Sequence, residues 1–207
     1  MLGLMRYAGG EHGALKMVHV PTEEQEDERR PTRELTALAK EKTRHASRIR
    51  CLLALEGLSF AKELTFQRNV TQMEGFVEKA ITPRGKPLPP HLRSELLAEA
   101  ERLHLVLERI GQLEKRLADQ ARHGTGKVPD LARMLQALSG IGLRSSFVFV
   151  TELFAWRQFT SGKQVGAFAG LTPTPYDTGN SRREQGISKS GNRWVRRIAR
   201  GTSTTSR

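Results

Sequence analysis

Apolar residues return at every seventh position over one stretch of the chain: Leu96, Leu103, Ile110 and Leu117, flanked by Leu92, Ala100, Val106, Leu107 and Leu113. That period predicts a helix from about His91 to Ala121, about 45 Å long, with a heptad seam along one side. A seam of that length needs a partner. The preceding helix, folded back antiparallel, or the same helix of a second copy would supply one. Upstream, Thr22 and Gln25 stand three apart, the spacing of a capping box, with Glu23, Glu24 and Glu26 at the positive end of the helix dipole. A helix from there runs to about Glu56 and stops at Gly57, with Pro31 kinking or splitting it. Leu35, Leu38, Ile49 and Leu52 share one face of it, and Lys42 and His45 interrupt that face.

The rest of the pattern is shorter. Met1 to Tyr7 reads as the last turns of a helix broken at Gly9-Gly10, and Leu15 to Val20 as a short strand ending at Pro21. Residues 58–90 read as short helical pieces and then a proline-rich loop from Pro83 to Pro90. A linker, His123 to Pro129, precedes a helix that Asp130 would cap, with Leu131, Met134, Leu135 and Leu138 as its buried face. That helix stops at Ser139-Gly140-Ile141-Gly142, and another begins near Leu143 and runs to about Phe154. Ser161 would cap a short helix ending at Gly170, and Pro173 to Gly186 is rich in turn residues. From Asn192, Arg193, Arg196, Arg197 and Arg200 recur every three or four positions, making one basic helix face. Trp194, Val195 and Ile198 are left for the core. The fold class expected is mainly α: a long antiparallel coiled-coil hairpin followed by a small helical domain.

Charge changes the picture. Of 207 residues, 34 are Lys or Arg and 22 Asp or Glu, a formal net charge of +12. The excess sits at the end of the chain: from Asn180 onward there are eight basic residues and one acid, Glu184. Such a concentration favours a polyanion, because phosphate contacts by Lys and Arg release counterions. The single cysteine, Cys51, excludes an internal disulfide. No run of about 18 apolar residues exists to span a membrane, and the N-terminus lacks a signal-peptide plan, so a cytoplasmic location is expected. An apolar residue between two glycines at a helix–helix junction forms a helix-hairpin-helix unit, which lets backbone N–H groups approach a phosphate. Arg144 and Ser145 stand ready to add donors. The DNA-contact candidates are Ser139, Gly140, Ile141, Gly142, Arg144, Ser145, Arg182, Arg183, Ser188, Lys189, Gly191, Asn192, Arg193, Arg196 and Arg197. A solvated basic face is the alternative reading of the last helix.

Leu138 to Gly142, then Phe159, then Ala169-Gly170-Leu171-Thr172-Pro173, then Gly186 to Asn192 resemble, in order and spacing, the C-terminal domain of the IS110 insertion-sequence transposases. The resemblance covers nearly the whole chain. It implies a remnant of a RuvC-like domain over 1–21, a helical linker region over 22–128 and a C-terminal transposase domain over 129–207. It also implies DNA as substrate, a guide RNA that supplies target choice, and a nucleoid-associated location in a prokaryote. The family holds Mg²⁺ on acids of its N-terminal domain. By the resemblance those acids would precede Met1, so no cofactor is expected on this chain, and the polar tail after Arg200 suggests an early end. The family's serine nucleophile falls on Thr178, in Tyr176-Asp177-Thr178-Gly179. Threonine oxygen can attack phosphorus, although β-branching restricts its rotamer. Arg182, Arg183, Lys189 and Arg193 would then stabilise charge on the phosphorus.

Two functions are consistent with these residues. One is a truncated transposase copy that binds DNA and is catalytically impaired. The other is a non-catalytic DNA- or RNA-binding or dimerisation module that joins full-length recombinase assemblies. The hairpin suggests a homo-oligomer in either case.

Overall fold

The computed structural model describes residues 5–6, 8–10, 20–58, 70–178 and 181–202. The strand expected from Leu15 and the tail after Thr202 lie outside these, apart from Val20. The elements are α1 (Glu23–Asp27), α2 (Arg30–Leu55), α3 (Val70–Lys79), α4 (Pro90–His123), α5 (Lys127–Gln136) and α6 (Leu143–Phe149). A π-helical turn (Val150–Phe154) extends α6 and is followed by α7 (Gly162–Ala169), β1 (Pro173–Thr178), β2 (Ser181–Ile187) and α8 (Arg193–Thr202). The chain is mainly helical, and no helix among the described residues is long and apolar enough to cross a membrane.

The capping box forms in full: the Gln25 amide donates to the Thr22 hydroxyl, and the Gln25 side chain accepts from the Thr22 N–H. Pro31 does split the helix. It sits in the first turn of α2, where its missing N–H leaves no intrahelical bond unmade. The end at Gly57 holds too, with φ of 71°.

α2 and α4 run antiparallel, as three pairings of opposite sequence direction show: Glu34 with Arg109, His45 with Glu99 and Arg48 with Glu95. The heptad stripe is buried along its whole length, but by changing partners. Leu96 and Leu103 pack with Ile49, Leu53, Met73, Val77 and Leu88 from α2, α3 and the loop after it. Ile110, Leu113 and Leu117 pack instead with Leu35, Val128, Ala132, Phe147 and Val150. The stripe expected to meet one helix or a second copy is thus covered by four helices of its own chain. The domain that follows α4 is packed onto the hairpin through this shared core. A third cluster, Leu153, Ala169 and Val195 with Phe154, Phe159 and Phe168 against them, joins the π-turn, α7 and α8.

Three expectations are corrected. α5 starts at Lys127, after Gly126 with φ of 106°, so Asp130 lies inside its first turn and pairs with Arg133 instead of capping. The buried stripe of α5 is Val128, Ala132 and, in part, Leu131 and Leu135; Met134 is 68% and Leu138 55% exposed. Taking positions 131, 134, 135 and 138 as the face placed it three residues late, a rotation of about 60° on a 3.6-residue helix. Pro173 to Gly186 is mostly an antiparallel β-hairpin, with Tyr176 opposite Arg183 and Thr178 opposite Ser181. Its strands lack apolar alternation, and two prolines in β1 are tolerated because a two-stranded ribbon consists of edges.

The polar interruption of the hairpin is itself paired. Glu99, 4% exposed, accepts from His45 Nδ1 at 2.6 Å and Arg102 Nη1 at 2.6 Å, with Arg48 beside it. Burial pushes the Glu99 carboxyl up, but the bonds from His45 and Arg102 outweigh it and hold the group below the ordinary range. A carboxyl depressed in the folded state contributes stability above its unfolded value, about 4.3, and loses it as pH falls through the lower folded value. The melting temperature of the wild type should therefore fall more steeply below about pH 4 than that of Glu99→Gln, which thermal melts between pH 7 and 3 would show.

Candidate nucleic-acid interface

The basic helix α8 is held at its start by one asparagine. Asn192 Oδ1 accepts from the N–H groups of Trp194 (2.9 Å) and Val195 (3.3 Å), an N-cap. Its Nδ2 donates to Glu152 Oε2 at 3.0 Å, and Glu152 Oε1 accepts from Arg33 Nε at 3.0 Å. Glu152 is 3% exposed, so this carboxylate is a buried charge answered from two sides. The side chain of Asn192, one of the DNA-contact candidates, ties α8 to the π-turn and, through Glu152, to α2. An acid amid the apolar run Phe147 to Phe154 was the available sign of Glu152.

The segments 168–172 and 188–192 form one backbone junction. The Asn192 N–H donates to Phe168 O at 2.8 Å, Lys189 N–H to Gly170 O at 3.1 Å and Ser188 N–H to Thr172 O at 2.9 Å. Gly170 has φ of 66° and ends α7; Gly191 has φ of 142°. A Cβ on Gly191 would lie 2.2 Å from Phe168 O. Lys189 takes the left-handed conformation with φ of 56°, which is uncommon for a residue with a side chain. These glycines let the two segments touch. Ser161 precedes α7 as expected but makes no side-chain cap.

The four arginines of α8 do not act alike. Arg196 is half-buried and its Nη1 donates to Ala169 O at 3.1 Å, so it fastens the helix to the junction. Arg193, Arg197 and Arg200 are exposed and, with Arg196, surround a hollow of about 430 Å³. Trp194 is half-buried, with the guanidinium carbons of Arg193 and Arg197 at 5.5 and 5.9 Å from its ring centroid. Val195 is buried and Ile198 half-buried.

α6 packs beside α8. In the loop before it, Ser139, Gly140 and Gly142 are exposed and Ile141 is half-buried. Gly140 needs its glycine, with φ of 83°; Gly142, at φ −85°, does not, and a Cβ there would meet open space. The Ser146 N–H bonds to Gly142 O; the first-turn N–H groups before it have no acceptor within the helix. Arg144 is exposed and bonds Glu114 through Nε at 2.5 Å, while Ser145 is half-buried. Arg144, Ser145 and Arg197 line a common hollow, so the loop-side donors and the α8 arginines share one surface.

Thr178, Arg182 and Arg183 are placed by backbone register, with Asp177 opposite Arg182 and Tyr176 opposite Arg183. Thr178 ends β1 at the hairpin tip. Sequence reasoning passed over the cations at Trp156: the guanidinium carbons of Arg29 and Arg157 lie 4.2 and 4.3 Å from its ring centroid. Burial, and then the charge of Arg29, lower the Arg157 pKa. Among the described residues no three His, Cys, Asp or Glu side chains gather as a cation site. Glu26, in the acidic run, is already bonded to Arg29 and Arg33. These residues do not fit Mg²⁺, which takes oxygen ligands.

The profile described as the transposase IS116/IS110/IS902 family matches residues 132–199, the stretch that carries these features. The chain is 37% identical to the y4rJ transposase of Sinorhizobium fredii over 196 residues, 91% of this chain and 48% of that protein. It is 25% identical to the transposase for insertion sequence element IS1328 of Yersinia enterocolitica, over 78% of this chain and 44% of that protein. It is 27% identical to the transposase for IS1111A of Coxiella burnetii, over 89% and 48%. The chain thus spans about half the length of the curated relatives it matches.

The surroundings of two glycines predict opposite effects for alanine there. Gly191→Ala should destabilise by more than about 2 kcal/mol, through a clash with Phe168 O and an unfavourable φ. Gly111→Ala, within α4 and facing open space, should stabilise by up to about 1 kcal/mol. Urea unfolding of both variants would check this.

Proposed function

The chain belongs to the IS116/IS110/IS902 family of transposases, and from that premise we propose that residues 129–207 grip DNA by its sugar–phosphate backbone during insertion-sequence transposition. The observation that carries the reading is the arginine surface of α8: Arg193, Arg197 and Arg200 exposed on a helix without an acid. Arg144, Ser145, Ser139 and the exposed backbone at Gly140 and Gly142 extend it, as do Ser188 and Lys189 within the junction. Arginine, serine and helix-start amides suit phosphates, and such contacts fix position without reading sequence. Target choice then falls to a guide RNA, and the protein resides with the nucleoid.

In this reading Thr178 is the nucleophile. Its Oγ gives up its proton and bonds to a backbone phosphorus as the bond from phosphorus to a deoxyribose oxygen breaks, and the net transfer places that proton on the leaving oxygen. Arg183, which the register places on the same face of the ribbon as Thr178, supplies charge for the pentavalent phosphorus. The second reading keeps the grip and drops the chemistry: a binding module that joins full-length recombinases. The exposed density of α8 arginines favours a grip in either case. An oligomer would use surfaces other than the buried heptad stripe.

Two measurements separate these. Arg193→Ala with Arg197→Ala should lower duplex affinity and reduce the slope of log K against log salt by about 1.8, near 0.9 per lost phosphate contact. Covalent capture of labelled duplex by the wild type, retained in Thr178→Ser and lost in Thr178→Ala, supports the nucleophile. Salt-sensitive binding without an adduct in any variant supports the binding module, and salt-independent or absent binding overturns both.

A further inference from the structure

Between α2, α6 and α8 lies a hollow of about 200 Å³. Its floor is Thr32, Leu35, Thr36 and Val148, each less than a tenth exposed. Its walls are Ala39 and Ile198, both half-buried, and its mouth carries Ser145 and the exposed Arg144 and Arg197. The two threonine hydroxyls are committed: Thr32 Oγ1 donates to Arg29 O at 2.9 Å and Thr36 Oγ1 to Thr32 O at 3.0 Å. The interior is therefore mostly apolar, and the hydrogen-bond donors stand at the rim.

We infer that this hollow receives a nucleobase turned out of the bound DNA. The inference rests on the DNA-gripping reading above and deepens it. Three features point to a base. One water needs about 10–15 Å³ of such space, so the hollow has room for about ten heavy atoms, the size of a base. An apolar interior takes the faces of a base, while its carbonyl and ring-nitrogen acceptors meet arginine, the commonest partner of such edges. Among the described residues Arg197 meets no carboxylate, and its guanidinium carbon lies 5.9 Å from the Trp194 ring centroid. Arg144 keeps two nitrogens besides the Nε that Glu114 holds.

A base also brings its own phosphate, which would rest at the mouth beside the same arginines. An apolar side chain from a second copy would fill the interior but would offer no acceptor to the Arg197 guanidinium or to the two Arg144 nitrogens that Glu114 does not hold. The hollow lies beside the α8 arginines, so a base could enter without the backbone leaving them. No base identity is selected by two arginines and a serine, and the pocket would accept any base that the duplex releases. Unpaired or mismatched bases are released most easily, so DNA carrying one should bind more tightly than a fully paired duplex.

The test uses the full chain and a set of duplexes, each with 2-aminopurine at one position, with and without a mismatch opposite it. Wild-type protein should raise the fluorescence at one or more positions and bind the mismatched duplex about tenfold more tightly than the paired one. Ala39→Leu, which fills the hollow, should abolish both the rise and the preference while paired-duplex affinity stays within about twofold. Ala37→Leu, exposed on the same helix and outside the hollow, should leave everything unchanged. Ala39→Gln serves if the leucine variant does not fold. Paired and mismatched DNA bound equally by the wild type with flat fluorescence overturns the inference and leaves the grip intact. A change of oligomeric state in Ala39→Leu with the fluorescence rise retained also overturns it, assigning the hollow to a second copy. Absence of DNA binding altogether overturns the grip and this inference together.

Discussion

A single buried carboxylate adds a polar link between parts of this protein that already share an apolar core. Glu152 sits in a π-helical turn and accepts from Arg33 of α2 on one oxygen and from Asn192 on the other. Asn192 in turn caps α8. A buried charge without partners is strongly unfavourable, so each partner is held where the charge demands it. That requirement ties the start of the arginine helix to the long hairpin, beside the packing of Val195 and the Arg196 bond to Ala169 O. The π-turn has a role here as well. By widening the helix it shifts the side chains that follow it, and Glu152 lies inside it with Thr151 and Leu153, all buried.

Around this link the C-terminal domain is built from close backbone contact. Gly170 and Gly191 allow the end of α7 and the loop before α8 to touch, and Arg196 closes the contact through Ala169 O. The outcome is a division of labour on one helix. Arg196 and Val195 face inward and fix α8, while Arg193, Arg197 and Arg200 face solvent. A phosphate-gripping surface gains from such fixed geometry, since arginines on a mobile segment would lose more conformational freedom on binding.

Much of this was legible in the chain itself, and the failures have specific causes. The capping box, the break at Pro31, the stop at Gly57 and the heptad stripe rest on local rules that tertiary packing did not override. The Gly-bounded segments at 170 and 191 were visible as motifs, but not that they touch, because contact between distant segments leaves no local pattern. The face of α5 was misplaced because Leu131 and Leu135 belong to both candidate stripes and small Val128 and Ala132 decided between them. The β-hairpin was hidden by prolines and charges, since a ribbon outside the cores needs no apolar alternation. Asn192 looked like a surface donor because its partner Glu152 lies forty positions away.

The change of partners along α4 carries a mechanical meaning. One 34-residue helix, about 50 Å long, is embedded at its start in the core with α3 and at its end in the core with α5 and α6. Loosening either core frees half of the same rod, so the two cores are coupled through α4. A rod clamped at both ends also transmits tilt. The end of the rod near α3 and the helices that carry Arg144 and, beside them, α8 are therefore connected by one continuous element.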